Sequence, residues 1–241
     1  MIKGNSMLSK KTILTICIIF FISVLSLWAG DSAVFVDLGF SPDGRTYMFG
    51  QYGVLSPSLR PWADLYVVDM ATNNFVPNGR LSNTQSTPIK AGQDGSGILY
   101  QMLANNSSLT SRYRIDFQNQ GQPLYITRND RPSLYGETID FRDFEHGKSY
   151  VAQLIPTING SGMNTRSSFI IKLDVRSPNG STRSYNVGTP SVVRDRILSY
   201  NINKVLVDPT GNSLIFVIEM KRAVGNGNDH DIRYMVEAIR L

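Results

Sequence analysis

The sequence predicts a mainly β protein, built from antiparallel meanders that form a sandwich-like body or an incomplete propeller, with one helix near 95–113. Three observations carry this. Beyond residue 30 the apolar runs are short, and several alternate apolar with polar residues, the period of a half-buried strand. Clusters of Pro, Gly, Asn and Asp separate them, as tight turns require. A single stretch shows the 3,4 spacing of an amphipathic helix, and no parallel strand–helix–strand unit surrounds it.

In chain order, Ala33–Phe40 reads as a strand and Ser41-Pro42-Asp43-Gly44 as its turn. Pro presets φ at the second turn position and Gly tolerates a positive φ at the fourth. Thr46–Phe49 returns as the second strand of that hairpin. Ser56–Trp62, with Pro57 and Pro61, predicts an exposed loop. Asp64–Asp69 is a third strand, turned by Ala71–Asn74 into a short fourth at Phe75-Val76. Ile98, Leu99, Met102 and Leu103 mark the helix, with Asp94 or Ser96 as its cap; Leu109 and Tyr113 extend the same face. Gly121–Thr127 is another strand. Arg128–Lys148 mixes charges without a clear period, which predicts a solvated excursion or one short turn of helix. Ser149–Ile158 and Ser167–Arg176 form a hairpin, followed by strands at Thr182–Val187, Lys204–Val207, Leu214–Met220 and Asp231–Ile239.

Two hairpin modules are alike. Phe40-Ser41-Pro42-Asp43-Gly44 leading into Thr46–Phe49 matches Val207-Asp208-Pro209-Thr210-Gly211 leading into Ser213–Phe216 in character, a weak internal repeat. The turn resembles that of TolB-type propeller blades. A closed propeller needs at least four four-stranded blades, so two facing meanders fit the length better. The run Gly39–Val54, including Tyr52-Gly53-Val54, together with Asp64–Asp69 and the Val207–Gly211 hairpin, resembles a bacterial family of predicted secreted proteins, domain of unknown function 2259. That resemblance implies an exported protein of unknown activity and supplies no catalytic residues.

The N-terminus points to export independently. Lys10-Lys11 precedes an uncharged, mostly apolar run from Thr12 to Ala29, the pattern a translocon accepts. Residues 1–29 are therefore expected to be a signal peptide cut after Ala29 or, if retained, an inner-membrane anchor; 18 residues just span a hydrocarbon core. Residues 30–241 form a single mainly β exported domain, periplasmic or secreted. The sole cysteine, Cys17, lies in the apolar run, with bulky Ile16 where a lipidation site has a small residue. The domain then has no thiol and no disulfide. Lys3, Lys10 and Lys11 take three of the five net positive charges, leaving a body of +2. Such a balance, without a basic stripe, argues against nucleic acid as a partner.

No Gly-Xaa-Ser-Xaa-Gly elbow, His-Glu-Xaa-Xaa-His helix or cysteine nucleophile is present. Gly92–Gly97 lacks the Lys-Ser/Thr of a phosphate loop, and no cofactor is expected. Carboxylate pairs such as Asp140/Glu145 or Asp37/Asp43 are the material for an alternative, an envelope hydrolase. Two candidate sites follow from residue type. Asn226, Asp229, His230 and Asp231 bring oxygen and imidazole groups to one hairpin tip, as a metal site would; His146, beside Asp143 and Glu145, is a weaker one. Tyr52 and Trp62 flank the Pro-rich loop as a candidate aromatic patch for an envelope protein or glycan. The function expected is an exported binding or structural module, in contact with a membrane only through an uncleaved N-terminal segment.

Overall fold

The computed structural model describes residues 31–90, 92–127, 136–225 and 229–241; the predicted leader, Cys17 and Asn226 lie outside them. Among the described residues, thirteen strands are arranged in three antiparallel sheets. Sheet 1 is a meander of β1 (Val34–Phe40), β2 (Thr46–Leu55), β3 (Arg60–Asp69) and β4 (Asn74–Thr84). Helices α1 (Gly97–Asn105) and α2 (Ser107–Arg112) follow. β5 (Gln122–Ile126) crosses to the third sheet. Sheet 2 contains β6 (Glu137–Asp143), β7 (Lys148–Asn159), β8 (Arg166–Arg176), β9 (Thr182–Val187) and the two-residue β10 (Arg194–Asp195). Sheet 3 has the order β13-β12-β11-β5, with β11 (Ile197–Val207), β12 (Ser213–Val224) and β13 (Asp229–Arg240).

The layers follow from side-chain alternation. On one face of sheet 1, Met48, Ala63, Leu65 and Val67 pack under Ile98, Leu99, Met102 and Leu109 of the helices. On its other face, Phe40, Tyr47, Phe49, Val68 and Met70 pack on Ile215, Val217, Val236 and Ala238. The opposite face of sheet 3, with Phe216, Ile218 and Val205, packs on Phe169, Ile171 and Leu173 of sheet 2. Sheet 3 is thus covered on both faces, which is why Leu214–Ile218 is an unbroken apolar run instead of an alternating one. The body is sandwich-like, with the layer order helices, sheet 1, sheet 3, sheet 2.

The paired turns behave as their chemistry predicts. Gly44 N–H donates to the Ser41 carbonyl and Gly211 N–H to the Asp208 carbonyl, each at 2.9 Å. The helical stretch is divided at Asn106, whose side-chain amide donates back to the Met102 carbonyl at 2.8 Å.

Three expectations need correction. Of the stretch 128–148, residues 128–135 lie outside the described residues, and 136–148 are not a solvated excursion: β6 pairs along β7, burying Ile139, Phe141 and Asp143 while Thr138, Asp140 and Arg142 face out. Two apolar residues suffice because the third inward position is a carboxylate with its own donors. Asp143 accepts from the N–H groups of Glu145 and His146 and from His146 Nδ1 at 2.8 Å, a closed turn. The loop 56–62 is shorter than expected: Arg60, Pro61 and Trp62 belong to β3. β4 and β11 extend well beyond Phe75-Val76 and Lys204–Val207, through polar residues that the apolar pattern does not mark.

Candidate functional site

Register places the Phe49–Tyr66, Gln51–Asp64, Tyr66–Arg80 and Asp64–Ser82 pairs directly opposite one another on β2, β3 and β4. Paired residues share a face, so these side chains form one polar and aromatic wall on sheet 1. Rings of Phe35, Phe49, Tyr66 and Phe75 stack successively at 5.6, 4.8 and 5.3 Å, one from each strand. The ladder runs from partly buried Phe35 through buried Phe49 and ends at Phe75, which is 49% exposed. Across from this wall runs the outer edge of β13, with Arg222 on β12 behind it and residues 192–197 at one side. Between them lies a cleft of about 500 Å³.

The edge of β13 is not left bare. The chain at Asp31–Ala33 docks along it: Ile232 N–H donates to the Asp31 carbonyl and Ala33 N–H to the Ile232 carbonyl. Further along, Tyr234 N–H donates to Gln51 Oε1 and Ala238 N–H to Asn73 Oδ1, at 2.8 and 2.7 Å. Side-chain amides of sheet 1 therefore stand where a neighbouring strand's carbonyls would be, which protects an otherwise sticky edge. Gln51 also donates to Asp64 Oδ2 at 3.1 Å. Gln51→Ala is expected to cost about 1–3 kcal/mol by leaving the Tyr234 N–H without its acceptor; the midpoint of urea unfolding measures it.

Behind the cleft is a buried ion cluster. Arg233 donates to Asp31 Oδ2 at 2.8 Å and to Asp231 Oδ2 at 3.1 Å, and Arg222 donates to Asp231 at 2.7 Å. The Arg233 guanidinium lies over the Trp62 ring at 4.1 Å, and the indole N–H donates to Asp31. Burial raises the Asp31 carboxyl above its ordinary value, against the opposing pull of Arg233 and the Trp62 hydrogen bond. Burial likewise lowers the Arg233 guanidinium, opposed by Asp31 and Asp231. Gly53 makes room for this arrangement: a Cβ there would lie 2.6 Å from Asp31 Oδ1 and 2.9 Å from Trp62 Nε1. Nearer the opening, burial and then Asp64 push the Tyr66 phenol up to about 12, so it remains a neutral hydroxyl.

The sequence-derived sites are redistributed by these registers. Tyr52 pairs with Ala63 and Gly53 with Trp62, so Tyr52 and Trp62 occupy opposite faces of sheet 1. Tyr52 is half-buried on the helix side, packed against that core. Trp62 is only 5% exposed, which corrects the expectation of an exposed patch: the missed cause is the Asp31–Arg233 pair that covers it. On β13, Asp229, His230 and Asp231 pair with Val224, Ala223 and Arg222 in turn, which puts His230 on the face opposite Asp229 and Asp231. Asp231 is already held by two guanidinium groups. Among the described residues no group of three or more His, Cys, Asp or Glu stands close enough to hold a metal. His146 serves the Asp143 turn, and Asp37 binds the N–H groups of Gly39 and Gly121, whereas Asp43 belongs to its own turn.

The family model described as predicted secreted protein, domain of unknown function 2259, matches residues 48–240. The chain belongs to this family. Comparison with curated proteins and with solved structures finds no match. In this family member the match takes in most of β2 and every later strand, hence both walls of the cleft. Among the described residues no helix is long and apolar enough to cross a membrane.

Proposed function

We propose that this secreted-family protein is a binding module that takes a ring-shaped polar ligand, a segment of an envelope glycan, into the cleft between sheet 1 and β13. The observation that carries the reading is the stacked Tyr66–Phe75 pair, its outer ring exposed, beside the hydrogen-bonding groups of Asp64, Ser82 and Arg80 in one cleft. An aromatic face accepts the apolar face of a sugar ring, and neighbouring polar side chains take its hydroxyls. Both carboxylates that reach the cleft are engaged: Asp64 by Gln51 and Ser82, and Asp195 by Arg166 at 3.6 Å. That supports binding over an envelope hydrolase working through a carboxylate pair. The N-terminal segment, as a cleaved signal or a retained anchor, delivers the body to the periplasm or beyond.

Titration of the isotope-labelled body with neutral and acidic oligosaccharides tests the proposal. Amide shifts should concentrate in β3, β4, β13 and residues 192–197. Phe75→Ala should weaken binding by roughly 2- to 10-fold, the worth of one aromatic contact, while leaving the unfolding midpoint close to that of the native protein. Shifts confined to other surfaces, or none with any sugar, would discard this reading.

A further inference from the structure

We propose that Arg222 and Arg196 form an anion subsite within the cleft, so that the ligand carries a carboxylate or phosphate group. The inference rests on the reading that ligand binds in this cleft. It follows from tracing what Arg194, Arg196, Arg222 and Arg233, the guanidinium groups facing the sheet 1 wall that carries Arg80, already hold. Both terminal nitrogens of Arg233 are taken, bonded to Asp31, Asp231 and two backbone carbonyls, and its guanidinium is stacked on Trp62. Arg194 is occupied as well: it donates to the Val192 carbonyl, lies 3.5 Å from Glu237 and stacks over Phe169 at 5.0 Å.

Arg222 is different. One terminal nitrogen is bonded to Asp231, but its Nε–H is buried and has no acceptor among the described residues. The Arg222 side chain is one-third exposed, against 10% for Arg233 and 19% for Arg194, and lines the cleft, so a ligand there meets the uncovered part of that side chain and not the buried Nε.

Arg196 supplies the second cation. Its backbone is fixed from both sides, its N–H donating to the Thr165 carbonyl and its carbonyl accepting from Ala223 N–H at 2.8 Å. Its exposed side chain has no hydrogen-bond or ion-pair partner among the described residues, and it lines the same cleft. The acids on that side, Asp31, Asp231, Glu237 and Asp195, are paired with Arg233, Arg222, Arg194 and Arg166, whereas the guanidinium of Arg196 has no such partner among the described residues. Guanidinium groups bind the oxygens of carboxylates and phosphates through parallel N–H donors, more strongly than neutral hydroxyls. With the aromatic end of the ladder close by, the ligand class is an acidic or phosphorylated saccharide.

Calorimetric titration of the whole exported body tests this with three probes: a galacturonic acid trimer, the uncharged galactose trimer and galactose 6-phosphate. At least one charged probe should bind about tenfold more tightly than the neutral one, and which one does so distinguishes carboxylate from phosphate. Arg222→Lys keeps a cation for Asp231 but removes the planar fork of N–H donors; Arg196→Asn keeps a residue that tolerates the positive φ there. Each should bring the charged probe down to the affinity of the neutral one, and rising salt should weaken the charged probe alone. Equal binding of charged and neutral probes, or charged binding that survives both substitutions, overturns the anion subsite and leaves the cleft standing. If none of the probes binds, the cleft reading itself falls, and the subsite with it.

Discussion

Arg233→Met should lower the stability of the body by about 3–5 kcal/mol at neutral pH, the usual result of removing one partner from a buried ion pair. The side chains of Arg233 and Asp31 are 10% and 4% exposed, so water cannot take over the lost contact. Asp231 keeps Arg222, but among the described residues the Asp31 carboxylate keeps only the Trp62 N–H. The pH dependence has a definite sign. Because the folded Asp31 carboxyl is already raised above 3.8, chiefly by burial, the fold binds its proton more readily than the unfolded chain does. Its contribution is fully present below 3.8 and is lost as pH rises through the folded value. Removing Arg233 takes away a lowering influence and moves that value further up. The deficit of Arg233→Met is therefore greatest at neutral pH and shrinks on acidification, as Asp31 takes up a proton. Urea unfolding of native and variant proteins across that range measures it. The double variant Asp31→Asn/Arg233→Met should recover more than half of the loss, since the buried carboxylate is gone and the Trp62 N–H still meets an amide oxygen. A deficit independent of pH would mean that lost packing over Trp62, not the unpaired charge, sets the cost.

Gly39→Ala is expected to cost more than about 3 kcal/mol, from a strained backbone of roughly 1–2 kcal/mol and two displaced hydrogen bonds of about 1 kcal/mol each. Gly39 has φ +100°, and a Cβ there would fall on the Asp116 carbonyl oxygen. The position cannot relax cheaply, because the 116–119 segment is clasped to β1 on both sides of that contact. Asp116 N–H donates to the Phe40 carbonyl, and Phe40 N–H donates to the Asn119 carbonyl, at 3.0 and 2.9 Å. Asp37 adds acceptors for the N–H groups of Gly39 and Gly121. The variant should show a lower unfolding midpoint, together with loss of hydrogen-exchange protection at Phe40, Asp116 and Asn119. Unchanged protection at those three amides would show that the clasp is not what makes the position intolerant.

Much of the fold is legible locally. Pro/Gly turns at 41–44 and 208–211 and the alternation around them specify hairpins without help from the rest of the chain. Ile98, Leu99 and Met102 likewise identify the one helical face that covers sheet 1. Where patterns failed, the cause was a polar residue at an inward position. β6 buries Asp143, β2 buries Gln51 and β11 buries Asn201, and each interrupts the apolar signal that marks a strand. The register between β2 and β3 also decided the fate of the aromatic candidates. With only residues 56–59 between the two strands, Tyr52 and Trp62 fall on opposite faces, a consequence that an estimated loop boundary conceals.

The amino-acid sequence by itself determined the β-rich class, the turns and the secreted family, because each depends on residues close together in the chain. The tertiary structure alone decided the cleft and what lies behind it. Asp31 and Arg233 are 202 positions apart, and no local period relates them. Their pairing exists because a buried charge needs a partner within hydrogen-bond reach, and only the docking of the Asp31–Ala33 segment along β13 brings that partner there.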